Sequence, residues 1–187
     1  MVRRAAQGVA VTVVLGLLGL LVWDLVHGSG SKVASDVANN EVVVAPPFTK
    51  ARVDANGTLS LASLRGKVVV LNFWQSYCAP CTHEARTLAD SYRRWKGKGV
   101  VFVGIDEQDL RGPALKFLRR FDITYPIVAD DLSLTGHYGV TGYPETYFID
   151  RRGRIVPAVA DGKVIGHIVG PATHALLNEN IRKALAT

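Results

Sequence analysis

Cys78 and Cys81 are the only cysteines in this 187-residue chain, and they stand three apart in Asn72-Phe73-Trp74-Gln75-Ser76-Tyr77-Cys78-Ala79-Pro80-Cys81. An apolar run, Lys67 to Phe73, leads into the pair, and a helical pattern leads out of it. Two thiols at this spacing can close a small disulfide ring, and a helix start lowers the pKa of the first. Four chemistries compete for such a pair. A structural zinc site needs four ligands, yet there is no second cysteine pair, and His83 follows Cys81 too closely to be the usual spaced histidine. Covalent haem attachment needs Cys-x-x-Cys-His; Thr82 holds the required place and His83 comes one residue late. A purely structural disulfide gains little from so short a loop, because its stabilisation grows with loop length. A redox-active dithiol is the reading that fits the motif and its strand–helix setting.

The elements that must position the pair follow an alternating pattern. Ala51 to Asp54 and Thr58 to Ser60 flank Ala55-Asn56-Gly57, a strong hairpin signal. Lys67 to Phe73 reads as a strand buried on both faces. A helix is expected from Pro80 to about Trp95, with Ala85, Leu88, Ala89 and Tyr92 inward and Gly97 and Gly99 ending it. Val100 to Ile105 is a second buried strand, Pro113 to Phe121 a helix with Leu115, Leu118 and Phe121 inward, and Ile127 to Ala129 a short extended piece. Thr146 to Ile149 and Ile155 to Ala160 read as strands joined at Asp150-Arg151-Arg152-Gly153, Val164 to Val169 adds one more, and Ala172 to Leu185 closes as a helix. A βαβ unit, then a hairpin, then a helix gives an α/β, thioredoxin-like fold: a central mixed sheet flanked by helices, with an N-terminal β-hairpin extension.

Upstream, Arg3 and Arg4 precede an uncharged stretch from Ala5 to Trp23, closed by Asp24. A bilayer core needs about 20 apolar residues, whereas a signal-peptide h-region has only about 7–15. Val26-His27-Gly28 is a poor cleavage site. Residues 1–26 are therefore expected to be a cytoplasmic N-terminus and an uncleaved signal-anchor transmembrane helix held in lipid, with a cleaved signal peptide as the alternative. The flanking arginines keep the N-terminus in the cytoplasm, so the rest faces outward, where disulfides persist. Residues 27–47, with Gly28-Ser29-Gly30-Ser31, Asn39-Asn40 and Pro46-Pro47, read as a flexible linker. Residues 48–187 fit one domain. The net charge of +6 comes from runs such as Arg93-Arg94, Arg119-Arg120 and Arg151-Arg152-x-Arg154. These read as solvated faces. No basic helix with interleaved aromatics suggests nucleic acid, no glycine-rich phosphate loop suggests a nucleotide, and no spacing suggests a metal; no cofactor is expected.

Phe73-Trp74-x-x-Tyr77-Cys78-x-Pro80-Cys81, together with Gly142-Tyr143-Pro144-Glu145-Thr146-Tyr147-Phe148-Ile149-Asp150, resembles the membrane-anchored thioredoxin-like oxidoreductases of bacterial cytochrome c maturation, the TlpA/ResA/DsbE-like family. Ser60 to Lys67 also matches, and the similarity runs from the hairpin near Arg52 to the final helix. The sequence departs from that pattern at Tyr77, where the family usually has Trp, and Asn72 stands where thioredoxin itself has a buried Asp. The resemblance implies a protein-disulfide reductase outside the cytoplasm. It would be kept reduced by a membrane electron donor and would pass electrons to apocytochrome c or its handling proteins. A general extracytoplasmic disulfide reductase with another substrate is the alternative. A peroxiredoxin-like peroxidase is a further one, but its usual Pro-x-x-x-Thr/Ser-x-x-Cys stretch is missing from Asn72 to Cys78. A copper-delivery relative would want methionine ligands, and Met1 is the only methionine.

Roles are then expected residue by residue. Cys78, at the helix start, is the exposed attacking thiol, and Cys81, one turn in, resolves the mixed disulfide. Pro80 fits the first helical turn, where its missing N–H has no acceptor to serve. Tyr77 supplies a flat wall with a hydroxyl at the rim, and Trp74 is structural. Pro144 resembles the cis-proline that faces the cysteines in this fold, so that the Tyr143 carbonyl meets an incoming peptide like an added strand. Glu84 stands where the family's proton-handling glutamate stands, three positions beyond Cys81 on the same helix; an ordinary solvated surface glutamate is the alternative. Glu145 is expected at the rim of the substrate groove, selecting a basic peptide or tuning the cysteines, with simple solvation as its alternative.

Overall fold

The computed structural model describes residues 13–20 and 32–187, and the chain divides into two units, 1–30 and 31–187. In the first unit residues 13–20 are helical (α1). The rest of the apolar stretch, residues 5–12 and 21–23, and the first part of the connection, residues 27–31, lie outside the described residues. Among the described residues no helix is long and apolar enough to cross a membrane.

The second unit is built on β4 (Val68–Trp74), whose seven residues are all buried. A strand this apolar needs cover on both faces, and the sheet provides it. β4 pairs in parallel with β5 (Val100–Glu107), and β5 in parallel with β6 (Ile127–Asp130). On its other side β4 pairs antiparallel with β7 (Glu145–Ile149), followed by β8 (Arg154–Ile155) and β1 (Val43–Val44), giving the order β1-β8-β7-β4-β5-β6. Alternate residues of β4 go to opposite cores. Val68 and Val70 join a cluster with Leu88 of α3 (Ala79–Trp95), Phe117 of α4 (Arg111–Phe121) and Ile181 of α6 (His174–Ala186). Val69, Leu71 and Phe73 join Leu61 and Leu64 of a 3-10 turn, with Tyr138 and Tyr147, on the other face. The hairpin of β2 (Thr49–Ala51) and β3 (Thr58–Ser60) turns where expected, with Gly57 at φ +90°, a conformation that favours glycine.

Three departures have local causes. The expected strand from Ile155 to Ala160 is broken at Pro157, which cannot donate to a ladder, and Ala158–Ala160 forms β9 of a separate two-stranded sheet with β10 (Lys163–Gly166). The β10–β9 register shifts between Val164 and Gly166, and after His167 the chain continues as β11 (Ile168–Val169), which pairs with β7. A short helix without a sequence signal, α5 (Ser133–Tyr138), begins where the Asp130 carboxylate accepts the Leu134 N–H at 2.8 Å.

The connection expected over 27–47 is corrected in its described part. Lys32–Ala38 forms a helix, α2, with Val37 fully buried, because Val33 and Val37 lie one turn apart on one face. Val43 and Val44 pair with Ile155 and Arg154 at the sheet edge, and the Pro46 carbonyl accepts the Tyr138 hydroxyl at 3.1 Å. The folded domain therefore begins near residue 32 rather than at Phe48.

Candidate active site

β4 ends at Trp74 and α3 begins at Ala79, so the loop between them delivers Cys78 to the helix N-cap with extended backbone (φ −77°, ψ 111°). Pro80 lies in the first turn, where no acceptor awaits its absent N–H. No acidic residue occupies that turn, so nothing there opposes an anion at the N-terminus. The Cys81 N–H donates to Cys78 Sγ at 3.1 Å. That contact and the helix dipole favour a Cys78 thiolate once the pair is reduced. Here the two sulfurs are joined as a disulfide across 5.3 Å between Cα atoms. Cys78 is partly exposed while Cys81 is only 2 % exposed, so an external partner reaches the first sulfur and not the second. Tyr77 stands 67 % exposed beside it. Trp74 is buried against Phe117, with ring centroids 4.6 Å apart. Gly104 on β5 is required beneath it, because a Cβ there would lie 2.9 Å from Trp74 Nε1.

Across from the helix start, the loop before β7 brings up the Tyr143–Pro144 bond, which is cis. The Tyr143 carbonyl oxygen lies 3.5 Å from Cys78 Sγ. Beyond it, the Gly170 N–H donates to the Pro144 carbonyl at 2.8 Å, tying β11's exit to the same loop. Cys78, Tyr143 and Pro144 are thus brought together from sequence positions about 65 apart, as the two motifs implied.

Glu84 is not a solvated helix residue: it is 1 % exposed. Its Oε1 accepts from Asn72 Nδ2 at 2.8 Å and its Oε2 from the Ala172 N–H at 2.6 Å. Burial pushes its carboxyl up to about 7 from an ordinary 4.5, against the opposing pull of those two donors. Glu84 and Cys81 line a common small cavity of about 10 Å³ with Asn72, Trp74 and Tyr125. That volume is at the lower limit of what one water fills, so the carboxyl and the second cysteine border the same small space.

Glu145 departs from expectation. It is 0 % exposed rather than at the groove's rim, so it is not free to select a basic peptide. Oε1 accepts the Thr141 N–H (2.9 Å), the Thr141 hydroxyl (3.0 Å) and the Gly142 N–H (3.2 Å), and Oε2 lies 2.9 Å from His167 Nε2. Burial pushes this carboxyl up, but the His167 contact and the loop donors outweigh it, and the net shift is downward. The sequence position next to Pro144 suggested exposure. What decides otherwise is that Glu145 is the first residue of a strand whose five residues are all buried.

Two carboxylates near the cysteines carried no motif. Asp109 accepts from the Ser76 N–H (2.6 Å) and hydroxyl (2.8 Å), pinning the loop two residues before Cys78. Asp106, in register with Trp74, is 2 % exposed; burial, then Asp109 and Glu107, push it up to about 8. The signal available was their place, at and just beyond the end of a buried apolar strand, where an acid has few ways to reach water. Among the described residues no three His, Cys, Asp or Glu side chains gather as a metal site.

Comparison with known proteins agrees with this geometry. The AhpC/TSA family model matches residues 43–158. The thiol-disulfide oxidoreductase ResA of Bacillus anthracis is 30 % identical over 126 residues, covering 67 % of this chain and 68 % of the relative. ResA of a Bacillus cereus strain is 29 % identical over 174 residues, covering 92 % of this chain and 93 % of that one. A solved structure from Chlorobium tepidum, described as a putative thiol:disulfide interchange protein DsbE, superposes with a TM-score of 0.65 at 27 % identity, over 76 % of this chain and 95 % of the other. A helix-capping Cys-x-x-Cys facing a cis-proline on this sheet, within the matched span, has one consistent assignment: the chain belongs to the AhpC/TSA family of thioredoxin-like proteins and is a thiol–disulfide oxidoreductase of the ResA and DsbE type.

Proposed function

We propose that this chain is a membrane-tethered reductant on the extracytoplasmic side, which reduces disulfides of apocytochrome c or of the proteins that handle it. The observation that carries the exchange chemistry is Glu84, a buried carboxyl pushed up to about 7 and lining one cavity with the resolving cysteine. The reductive direction rests on the resemblance to the ResA and DsbE type. The Cys78 thiolate attacks one substrate sulfur, and the other substrate sulfur leaves and takes up a proton. Cys81 gives its proton to the Glu84 carboxylate and attacks Cys78 Sγ, which releases the second substrate thiolate. Two electrons have then passed to the substrate, and the disulfide between Cys78 and Cys81 is the oxidised product. A membrane electron donor of the thiol-reducing type returns the pair to the dithiol.

The apocytochrome assignment is supported by the paired motifs around Cys78 and Pro144 and by the ResA and DsbE relatives. The tether is supported by Arg3 and Arg4 ahead of the uncharged Ala5–Trp23 stretch. Substitution of Cys81 by Ala blocks resolution, so Cys78 should remain joined to its partner. Isolation of the stalled mixed disulfides from the membrane fraction should yield an apocytochrome c or a haem-handling protein. Trapped species that never include either would overturn the maturation reading while leaving the exchange chemistry standing.

A further inference from the structure

Behind the Tyr143–Pro144 loop stand two side chains that this exchange does not use, Glu145, which is buried, and His167, which is nearly so. His167 lies between β10 and β11, its ring stacked on Tyr147 with centroids 4.3 Å apart and planes 9° apart. Its Nε2 is 2.9 Å from Glu145 Oε2, and its Nδ1 is buried without a hydrogen-bond partner among the described residues. An ionised carboxylate only accepts, so Nε2 carries the hydrogen and donates. The other oxygen of the same carboxylate holds the Thr141 N–H, the Thr141 hydroxyl and the Gly142 N–H. One buried side chain thereby joins His167 to the turn immediately before Tyr143, whose carbonyl oxygen is 3.5 Å from Cys78 Sγ.

The imidazole is itself anchored. β11 pairs Ile168 with Thr146 and Val169 with Glu145, so His167 enters a strand already registered against β7. On its other side Gly166 sits at φ +75° with α2 pressed upon it, and a Cβ there would lie 3.0 Å from Ala38 Cα. The ring is a fixed post, and the Glu145 carboxylate is a bracket between that post and the loop.

We propose that His167 is a positioning residue for disulfide exchange: through Glu145 it fixes the Thr141–Gly142 turn, and so the Tyr143 carbonyl edge on which a substrate strand pairs. Without the imidazole, Oε2 loses its one hydrogen-bond donor among the described residues, and the buried carboxylate can rotate to recover one, which loosens its hold on the turn. An extended protein substrate, which needs the loop's backbone in register with Cys78, feels the displacement. A small disulfide, with no backbone to pair, feels it little. The proposal rests on the oxidoreductase activity and is independent of which protein is the natural substrate.

The test is a comparison of two probes, insulin as a protein disulfide and hydroxyethyl disulfide as a small one, on the full-length protein with His167→Ala and His167→Gln. His167→Ala should raise KM for insulin about tenfold, the scale of one lost hydrogen bond to a charged group, while kcat and the small-disulfide rate change less than about twofold. His167→Gln, whose amide can donate to Oε2, should recover most of the insulin KM. Equal losses on both probes, an unchanged insulin KM, or Gln behaving as Ala does would each overturn the positioning role. Should His167→Ala fail to fold, Thr141→Val removes one donor at the loop end of the same carboxylate; it should show the same split in KM, and its absence would likewise overturn the proposal.

Discussion

Two glutamates flank the disulfide site, both essentially sealed from water, and they titrate in opposite directions. Glu84, on the helix side, accepts two hydrogen bonds and is pushed up to about 7. Glu145, on the loop side, accepts three from the Thr141–Gly142 turn and one from an imidazole, and is held below its ordinary value. Burial pushes each up, so the difference lies in what faces the charge: two donors at Glu84, and at Glu145 the loop donors together with the hydrogen bond and charge of His167. A carboxyl poised near neutrality can take and give a proton, and one held as a permanent anion can only hold structure. The helix side of the site is therefore equipped for proton transfer, and the loop side for geometry.

The comparison breaks most visibly at Glu145. Replacement by Ala removes the buried carboxylate that two N–H groups of an exposed turn and the part-buried imidazole share, and should destabilise the protein by about 3 kcal/mol. Urea unfolding at pH 7.5 measures it, and a loss below about 1 kcal/mol would mean the carboxylate does not bracket the loop.

Next in size is the pH dependence of stability. Glu84 is raised in the folded state, so its contribution is fully present below about 4.5 and is lost as pH rises through about 7. The change amounts to about 3 kcal/mol if the unfolded value is ordinary. Glu145, being depressed, contributes in the opposite sense: its stability is present above its ordinary value and is lost as pH falls through the folded one. Unfolding free energies of the oxidised wild type minus those of Glu84→Gln should therefore fall between pH 4.5 and 7. The same difference taken with Glu145→Gln should rise with pH. Two curves of the same sign would erase the distinction between the two glutamates.

The smallest of these effects is kinetic. Glu84→Gln should slow disulfide exchange at pH 7 by about a hundredfold, the lower end of what positioned acid–base catalysis supplies. Loss of the carboxylate charge should also let a coupled cysteine titrate lower. Stopped-flow exchange rates and alkylation rates against pH in the reduced protein measure both. An unchanged rate with an unchanged profile would leave Glu84 a structural acid only.

Much of this was legible in the chain itself. The strand into Cys78 and the helix out of it follow from local pattern. An apolar run from Lys67 to Phe73 must be covered on both faces, and Pro80 with the helical spacing behind it must start a helix. The pairing of Cys78 with the Pro144 loop came from two motifs in a recognisable order. The short helix at Ser133 carried no such pattern, since its start is set by an Asp130 side chain arriving from a neighbouring strand end. The helix at Lys32 was hidden by its polar, Asn- and Pro-containing surroundings; only two valines one turn apart announced it.

What the sequence by itself determined, then, is the reactive pair and its polarity, because a thiol's access and its helix position are set within a few residues. What only the tertiary structure decided is the work of the acids. Whether Glu84 shares a cavity with Cys81, whether Glu145 faces water or a closed shell of donors, and whether His167 stands behind it all depend on Ala172, Thr141 and β11 arriving from elsewhere in the chain. Ionisation in a protein interior is governed by the nearest few dipoles and by distance from solvent, and neither is written at the position of the acid itself.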